Sequence, residues 1–423
     1  MKNHTFFITC SFGIESICKK ELQLFNIEKI NLNNGFLIVN ASLNFIELAK
    51  YLKSINRLYY IIKETEISNY DEIYKIFKEI EINDFFKNKN GINNVDVITQ
   101  NTKLYSKKTI KAISIKALKN YISDKKNKVN GNNNLSIFIV ENKVYIGLDC
   151  FGKSLHKRNY RLDGGISPLK ENLAASLVIN SLKFDHEYLI DPFCGSGTII
   201  TEAILFIYMK KNLGLFPIIN LKNLDQELSD EILNKYICKD EDIEIDKERN
   251  NNIEKKKKNN KVNINLYNCK YFIGADIDGN AIENSKRNIE RMLKIYFNNS
   301  YNFRKIENIF YIYKVCEINY NFYIILVNID SYKLKEEIEK IELLRKIDKT
   351  NAVLISNLPY GKRLDKKFTN NNSLAAIQKV FKDFDCEKYF LSTMKFLPAL
   401  LEKQPKKKRK LYNGKIEVTL FNF

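Results

Sequence analysis

Leu189–Ala203 reads LIDPFCGSGTIITEA. An apolar run ends in Asp191, Gly-Ser-Gly follows at 195–197, and an apolar helix-like pattern comes next. Strand, glycine turn and helix make one βα unit of a doubly wound sheet. Glycines let backbone approach a ligand closely, and the helix N-terminus behind them presents free N–H groups. A dinucleotide fingerprint would need a third glycine where Ile200 stands, so a pyrophosphate cradle is poorly supported. What the loop does carry is an acid, Asp191, four residues before its first glycine. An acid there repels phosphate and suits a cationic or amino-bearing ligand.

Strands and helices keep alternating beyond this loop. Tyr271–Asp276, Tyr323–Asn328, Ala352–Ser356 and Tyr389–Thr393 read as strands, with helices from about Gly197 and Asn280. Ser167-Pro168 reads as the start of the helix before the glycine loop, with Ser as cap and Pro in the first turn. The last segment, KRKLYNGKIEVTLFNF, holds Asn413-Gly414 between two strand-like runs, a hairpin signal. The expected architecture is a mostly parallel seven-stranded α/β sheet ending in an antiparallel hairpin. Cys238–Lys261 interrupts it with a run too charged to pack, read as a mobile surface insertion.

Upstream, short segments alternate. Phe6–Cys10, Gly35–Val39, Asn94–Thr99, Leu135–Val140 and Lys143–Leu148 read as strands. Gly13–Leu24, Asn44–Ile55 and Lys107–Ile122 read as helices. A compact α+β arm follows. The basic stretch FGKSLHKRNYRLDGG, Phe151–Gly165, marks the junction between the halves.

The chain has 423 residues, a formal charge of +19 and eight Cys. The charge favours a polyanionic partner, nucleic acid above all; an AT-rich genome, by enriching Lys, Asn and Ile, raises it as well. No CxxC pair occurs and only three His exist, which argues against a zinc site and a disulfide scaffold. No signal-peptide core opens the sequence and no apolar run of about 18 residues is present, so a soluble, reduced, cytoplasmic protein without metal or membrane partner is expected.

Two further stretches bear on chemistry. GADIDGN places Asp276 at a strand tip, where a carboxylate can take both ribose hydroxyls. Asp278 follows two residues later; helix capping is the ordinary use of such acids. Ile355–Leu364 reads ISNLPYGKRL, a strand running into Asn357-Leu358-Pro359-Tyr360.

Together these segments resemble the class I, Rossmann-like S-adenosylmethionine-dependent methyltransferases. Asn-Leu-Pro-Tyr resembles their fourth motif, usually Asn/Asp/Ser-Pro-Pro-Tyr, found in enzymes that methylate planar exocyclic amino groups. Leu358 departs from it and removes one rigid ring. SLHKRNYR, SPLKENLAA, LIDPFCGSGTIITEA, GADIDGNAIENSKRNI, SNLPYGKRL and KKRKLYNGKIE occur in that order. The ordered set resembles ribosomal RNA guanine-N2 methyltransferases of the RlmL type. It spans nearly the whole chain, densely in the second half and loosely in the first. Some bacterial relatives carry a second, fused methyltransferase domain; this chain ends at the hairpin, so the first unit alone is expected.

The resemblance implies a ferredoxin-like subdomain at 1–65, a THUMP RNA-binding domain at 66–155, a basic linker at 156–166 and the methyltransferase domain at 167–423. S-adenosylmethionine is the implied cofactor. Asp191, Pro192, Gly195 and Gly197 would line its methionine and ribose side, with Asp276 and Asp278 at the ribose, Asp330 at the adenine amino group, and Asn357 beside the methyl. An exocyclic amine is a poor nucleophile because its lone pair is delocalised into the ring. The Asn357 oxygen and a nearby backbone carbonyl, by accepting its protons, steer the lone pair to the methyl. Pro359 stiffens the pocket, and Tyr360 stacks on a flipped base. Cys194, inside the loop, reads as a small packing residue. In the arm, Lys103, Lys107, Lys108 and Lys111 form a cationic cluster; the junction adds His156, Lys157, Arg158, Tyr160 and Arg161. Both are expected to hold RNA phosphates. Lys406–Lys410 reads as a basic rim near the active site. The expected partner is large-subunit ribosomal RNA. The alternatives are a tRNA guanine methyltransferase, an adenine-specific DNA methyltransferase and a non-catalytic RNA-binding protein.

Overall fold

The computed structural model describes residues 3–81, 85, 92–121, 134–161, 169–212, 267–307, 309–317, 320–341, 344, 347, 350–359 and 371–423. The expectations for Ser167-Pro168, the 238–261 insertion and Tyr360 lie outside them.

The first half forms one seven-stranded sheet from β1 (His4–Thr9), β2 (Ile30–Asn33), β3 (Phe36–Ala41), β4 (Arg57–Glu66), β5 (Asn94–Gln100), β6 (Asn134–Val140) and β7 (Lys143–Asp149), in the order β2-β3-β1-β4-β7-β6-β5. Among the described residues, helices α1 (Glu15–Leu24), α2 (Phe45–Leu48), α3 (Tyr70–Glu79) and α4 (Lys107–Ala117) accompany this sheet. They pack on the face that holds Phe6 and Ile8, while Phe7, Phe36, Tyr59, Phe138 and Tyr145 form an aromatic cluster on the other. β4 pairs with β1 on one side and β7 on the other, so residues before and after 65 share one sheet. β2, β4 and α3 add to the expected elements. The helix expected at Asn44–Ile55 is one α-helical turn followed by a 3-10 turn at Ala49–Tyr51.

The second half forms a nine-stranded sheet from β8 (Tyr188–Asp191), β9 (Tyr271–Asp276), β10 (Tyr301–Ile306), β11 (Phe310–Cys316), β12 (Asn321–Asn328), β13 (Ala352–Asn357), β14 (Glu387–Ser392), β15 (Lys407–Asn413) and β16 (Ile416–Asn422). The order is β10-β11-β12-β9-β8-β13-β14-β16-β15. The five central strands are parallel, and β15–β16 close one edge as the expected antiparallel hairpin. The seven expected strands are all present, but among the described residues the count is corrected to nine. β10 and β11 add a second antiparallel hairpin on the far edge. β10, YNFRKI, is exposed along most of its length and lacks the apolar run that marks the interior strands.

α5 (Glu171–Ser181) and α6 (Thr198–Ile207) cover the sheet beside the arm, and α7 (Gly279–Tyr296) follows β9. Every residue of α6 is buried. A helix this apolar must be enclosed, and α6 packs on β8 and β9 with α5 and α7 beside it. Its one acid, Glu202, meets the junction segment. Arg158 approaches Glu202 at 3.1 Å, and the Tyr160 hydroxyl donates to Glu202 at 2.8 Å. Arg158 also donates to the carbonyl of Lys53, and the fully buried Lys53 ammonium donates to Asn212 at 3.0 Å. Burial pushes the Lys53 ammonium down to about 7 and the Glu202 carboxyl up to about 7, the latter against the pull of Arg158. The two halves are thus joined through a buried polar network rather than a loose tether. Among the described residues no helix is long and apolar enough to cross a membrane.

Candidate active site

In the central sheet the chain leaves β8 for β9 and β12 on one side, then returns to β13 and β14 on the other. Strand order therefore reverses between β8 and β13, and ligands of open α/β sheets bind at the carboxyl ends of such strands. Asp191 ends β8, Asp276 ends β9 and Asn357 ends β13. Register sets their heights. Asp191 is level with Gly274 on β9, and Ile190 with Leu354 on β13. Asp276 and Asn357 therefore stand two residues further out, like a rim around Asp191.

Gly195 and Gly197 have φ of +55° and +72°. A Cβ on Gly197 would sit 3.2 Å from Ser285 Oγ. The loop is held from below by α7: Ser285 Oγ donates to the Gly195 carbonyl at 2.6 Å, and Asn288 donates to that of Ser196 at 3.1 Å. Gly195 N–H donates to Asp276 Oδ2 at 2.9 Å, and Asp278 N–H to Asp276 Oδ1 at 3.0 Å. These bonds fix the Asp276 carboxylate at the loop. Gly197 caps α6 without a side-chain acceptor, so the first turn of that helix has no side-chain cap.

Asp191 is 1% exposed. Its Oδ1 accepts from Ser356 Oγ at 2.6 Å and from Phe193 N–H at 3.2 Å. The carbonyl of Pro192 accepts from Ser331 Oγ. Asp278 caps α7 through Asn280 N–H, and Asp330 caps the short 3-10 turn Ser331–Lys333 through Tyr332 N–H.

β13 is buried along its whole length. Asn357 is 6% exposed, and its buried Oδ1 has no hydrogen-bond partner among the described residues. A buried acceptor left unmade costs about 1–3 kcal/mol. Leu358, where the family's motif usually has proline, is fully buried, and its N–H donates to the Leu391 carbonyl at 3.0 Å. The departure from the motif thus adds a hydrogen bond that proline lacks. Pro359 follows, half-buried. Burial pushes the Cys194 thiol well up, in keeping with a packing role.

The basic clusters divide. Lys103, Lys107 and Lys108 are exposed, and Lys111 is half-buried with its ammonium 3.4 Å from Asn94 Oδ1. At the junction Lys157 is exposed, but Arg158 and Tyr160 are each 1% exposed and bound to Glu202. Their assignment to RNA is corrected: both are sealed inside the contact between the halves. Arg161 turns inward to the Leu169 carbonyl and Thr198 Oγ1. Burial lowers His156 to about 4, keeping it neutral near pH 7. Among the described residues no His, Cys, Asp or Glu side chains converge as a metal-ligand set.

Sequence reasoning missed Ser356, Ser285 and Asn288. The last two were legible as polar residues on the buried stripe of α7, beside Ile282, Ile289 and Met292. It also missed Ile277, an apolar side chain 56% exposed between two acids at the mouth of the loop.

Residues 158–308 match the family described as "RMKL-like, methyltransferase domain". A putative RNA methyltransferase of Bacillus subtilis is 30% identical over 215 residues, covering 48% of this chain and 55% of that protein. The ribosomal RNA large subunit methyltransferase K/L of Buchnera aphidicola (subsp. Acyrthosiphon pisum) is 25% identical over 442 residues, covering 99% of this chain and 54% of that protein. The chain thus spans about half the length of these curated relatives. Among solved structures, a possible methylase from Clostridium difficile 630 superposes with a TM-score of 0.70 at 22% identity, covering 100% of this chain and 98% of that one. A putative methyltransferase, SMU.472, solved in complex with SAH, gives 0.66 at 20% identity over 100% and 98%. The chain therefore has the fold of these solved methyltransferases from end to end, and its residues 158–308 are similar to the RMKL-like methyltransferase domain.

Proposed function

We propose that the protein is an S-adenosylmethionine-dependent RNA methyltransferase acting on the exocyclic amino group of a guanine in large-subunit ribosomal RNA. The observation that carries this reading is the orphaned Asn357 Oδ1, buried at the sheet's reversal point beside Asp191. Both curated relatives are named as RNA methyltransferases, one for the large ribosomal subunit.

The residues present fit the cofactor. Positive-φ glycines without Cβ, an uncapped helix N-terminus and a carboxylate fixed at the next strand tip form a cradle. Asp191, Pro192, Gly195 and Gly197 would line it; Asp276 would take the ribose hydroxyls. Asp278 and Asp330 would border the adenosine end, with Ile277 against the adenine ring. When bound, the cofactor supplies an electrophilic methyl on sulfur.

Asn357 does the work on the substrate side. Its Oδ1 accepts a hydrogen bond from the target amine, which orients the nitrogen lone pair. Pro359 would hold the pocket wall in place, and Tyr360 would stack on the flipped base. No strong base is required, because the amine proton becomes acidic only as the new bond forms. Lys103, Lys107, Lys108 and Lys111, with Lys157, would position the RNA backbone.

The test is incubation with methyl-tritiated S-adenosylmethionine and, separately, ribosomal RNA, tRNA and DNA, followed by nucleoside identification. N2-methylguanosine from ribosomal RNA is the expected product. Label in tRNA keeps the chemistry and changes the substrate; label only in DNA adenine overturns the RNA reading. With Asn357→Ala, methyl transfer is expected to fall about 100-fold or more at unchanged RNA affinity; transfer at the normal rate would remove Asn357 from the mechanism.

A further inference from the structure

Arg161 reaches the residue that follows the glycine loop, and Glu171 lies beside Arg161; their set of partners is incomplete. Arg161 Nη2 donates to Thr198 Oγ1 at 2.8 Å and to the Leu169 carbonyl at 2.7 Å. Thr198 is the first residue of α6, directly after Gly197. Arg161 Nε is buried with no hydrogen-bond partner among the described residues, and the nearest Glu171 oxygen lies 3.6 Å away. Glu171, in the first turn of α5, is 9% exposed. Next to it the fully buried Asn172 gives its amide N–H to Ser11, while its Oδ1 lacks a partner among the described residues.

A cation and an acid this buried normally close on each other with good hydrogen bonds, because desolvation is costly otherwise. Here the pair stops short, an N–H is left over, and the adjoining helix N-terminus has no side-chain cap. A group with a carboxylate and an ammonium on one carbon meets all of these needs. Its carboxylate accepts from Arg161 Nε and from the N–H groups of α6. Its ammonium donates to Glu171.

We infer that Arg161 and Glu171, with the N-terminus of α6, form a subsite for the zwitterionic amino-acid end of the cofactor. This rests on the reading of the cofactor given above. It also orients the ligand along the loop: the nucleoside end at Asp276, which Gly195 N–H touches, and the amino-acid end at Thr198, which Arg161 touches. The reacting centre then lies between, towards Asn357. Arg161, read from sequence as an RNA contact, is reassigned to the cofactor.

The experiment compares calorimetric binding of S-adenosylhomocysteine with 5′-methylthioadenosine, which keeps the adenosine and thioether but lacks the amino acid. Wild type is expected to prefer S-adenosylhomocysteine. Arg161→Met should weaken S-adenosylhomocysteine by about 10- to 100-fold and leave methylthioadenosine within about threefold. Glu171→Gln, which preserves shape, should weaken S-adenosylhomocysteine about tenfold with methylthioadenosine unchanged, and serves if the Met variant does not fold. Equal loss of both ligands in both variants, or undiminished preference, would assign the pair a purely structural role and overturn the inference. Wild type that binds neither ligand would instead remove the cofactor reading itself, and the subsite with it.

Discussion

Ser356 Oγ donates to Asp191 Oδ1 at 2.6 Å across 165 residues of sequence, with both side chains buried. The bond ties the end of the strand that carries Asn357 to the acid that begins the glycine loop. Beyond the end of the β8–β13 pairing, one hydroxyl thus links the two motifs of the candidate site.

Ser356→Ala removes this donor and leaves a buried carboxylate short of a partner. Stability is expected to fall by about 1.5–3 kcal/mol, read by urea denaturation. Affinity for S-adenosylhomocysteine should fall as well, and Ser356→Thr should restore part of both. An alanine variant with wild-type stability and affinity would deny the bond its role.

Leu358→Pro installs the residue usual in the fourth motif. Here it removes the N–H that meets the Leu391 carbonyl and the side chain buried in the core. A loss of about 2 kcal/mol or more is expected, although the motif becomes more typical. A stabilised variant would mean that the Leu358–Leu391 bond contributes nothing.

Glu202 makes a prediction about pH. Its carboxyl is raised from 4.5 to about 7, so the folded chain binds that proton more tightly than the unfolded chain. The associated stability is present below pH 4.5 and is lost as pH rises through about 7. His156, lowered from 6.5 to about 4, contributes the opposite slope over much of the same window. The readout is therefore the difference between wild type and Glu202→Gln in urea denaturation at successive pH values. That difference should change by up to about 3 kcal/mol between pH 4.5 and 8, with wild type losing ground as pH rises. A difference that stays constant would place the Glu202 carboxyl at its ordinary value.

Lys107 and Lys108 stand exposed at the start of α4, whose first turn contains no acid. Cations at a helix N-terminus oppose the macrodipole and are better served by an anion in front of them. Lys107→Gln/Lys108→Gln should weaken RNA binding and flatten the salt dependence of log K by about 1.5, two phosphate contacts' worth. The rate at saturating RNA should stay unchanged. An unaltered salt slope would exclude these lysines from the interface.

Much of this protein is legible along the chain. The apolar runs at β8, β9, β12, β13 and β14 and the Asn413-Gly414 signal of the last hairpin are local, since burial on both faces demands continuous apolar sequence and the two-residue turn, Gly414-Lys415, takes a positive φ of +67° at Gly414. The glycine loop, its acid and the Asn-Leu-Pro-Tyr stretch are local in the same sense. Which way a basic side chain turns is not. Arg158, Tyr160 and Arg161 carry the composition of a nucleic-acid contact, yet Glu202 and Thr198, around forty residues later, draw them inward. The Ser356–Asp191 bond and the β10–β11 hairpin likewise exist only once distant segments are adjacent. Sequence by itself determined the elements and the chemistry at their tips. Tertiary structure decided which charges meet water and which meet each other, because the cost of burying a charge depends on partners that only packing supplies.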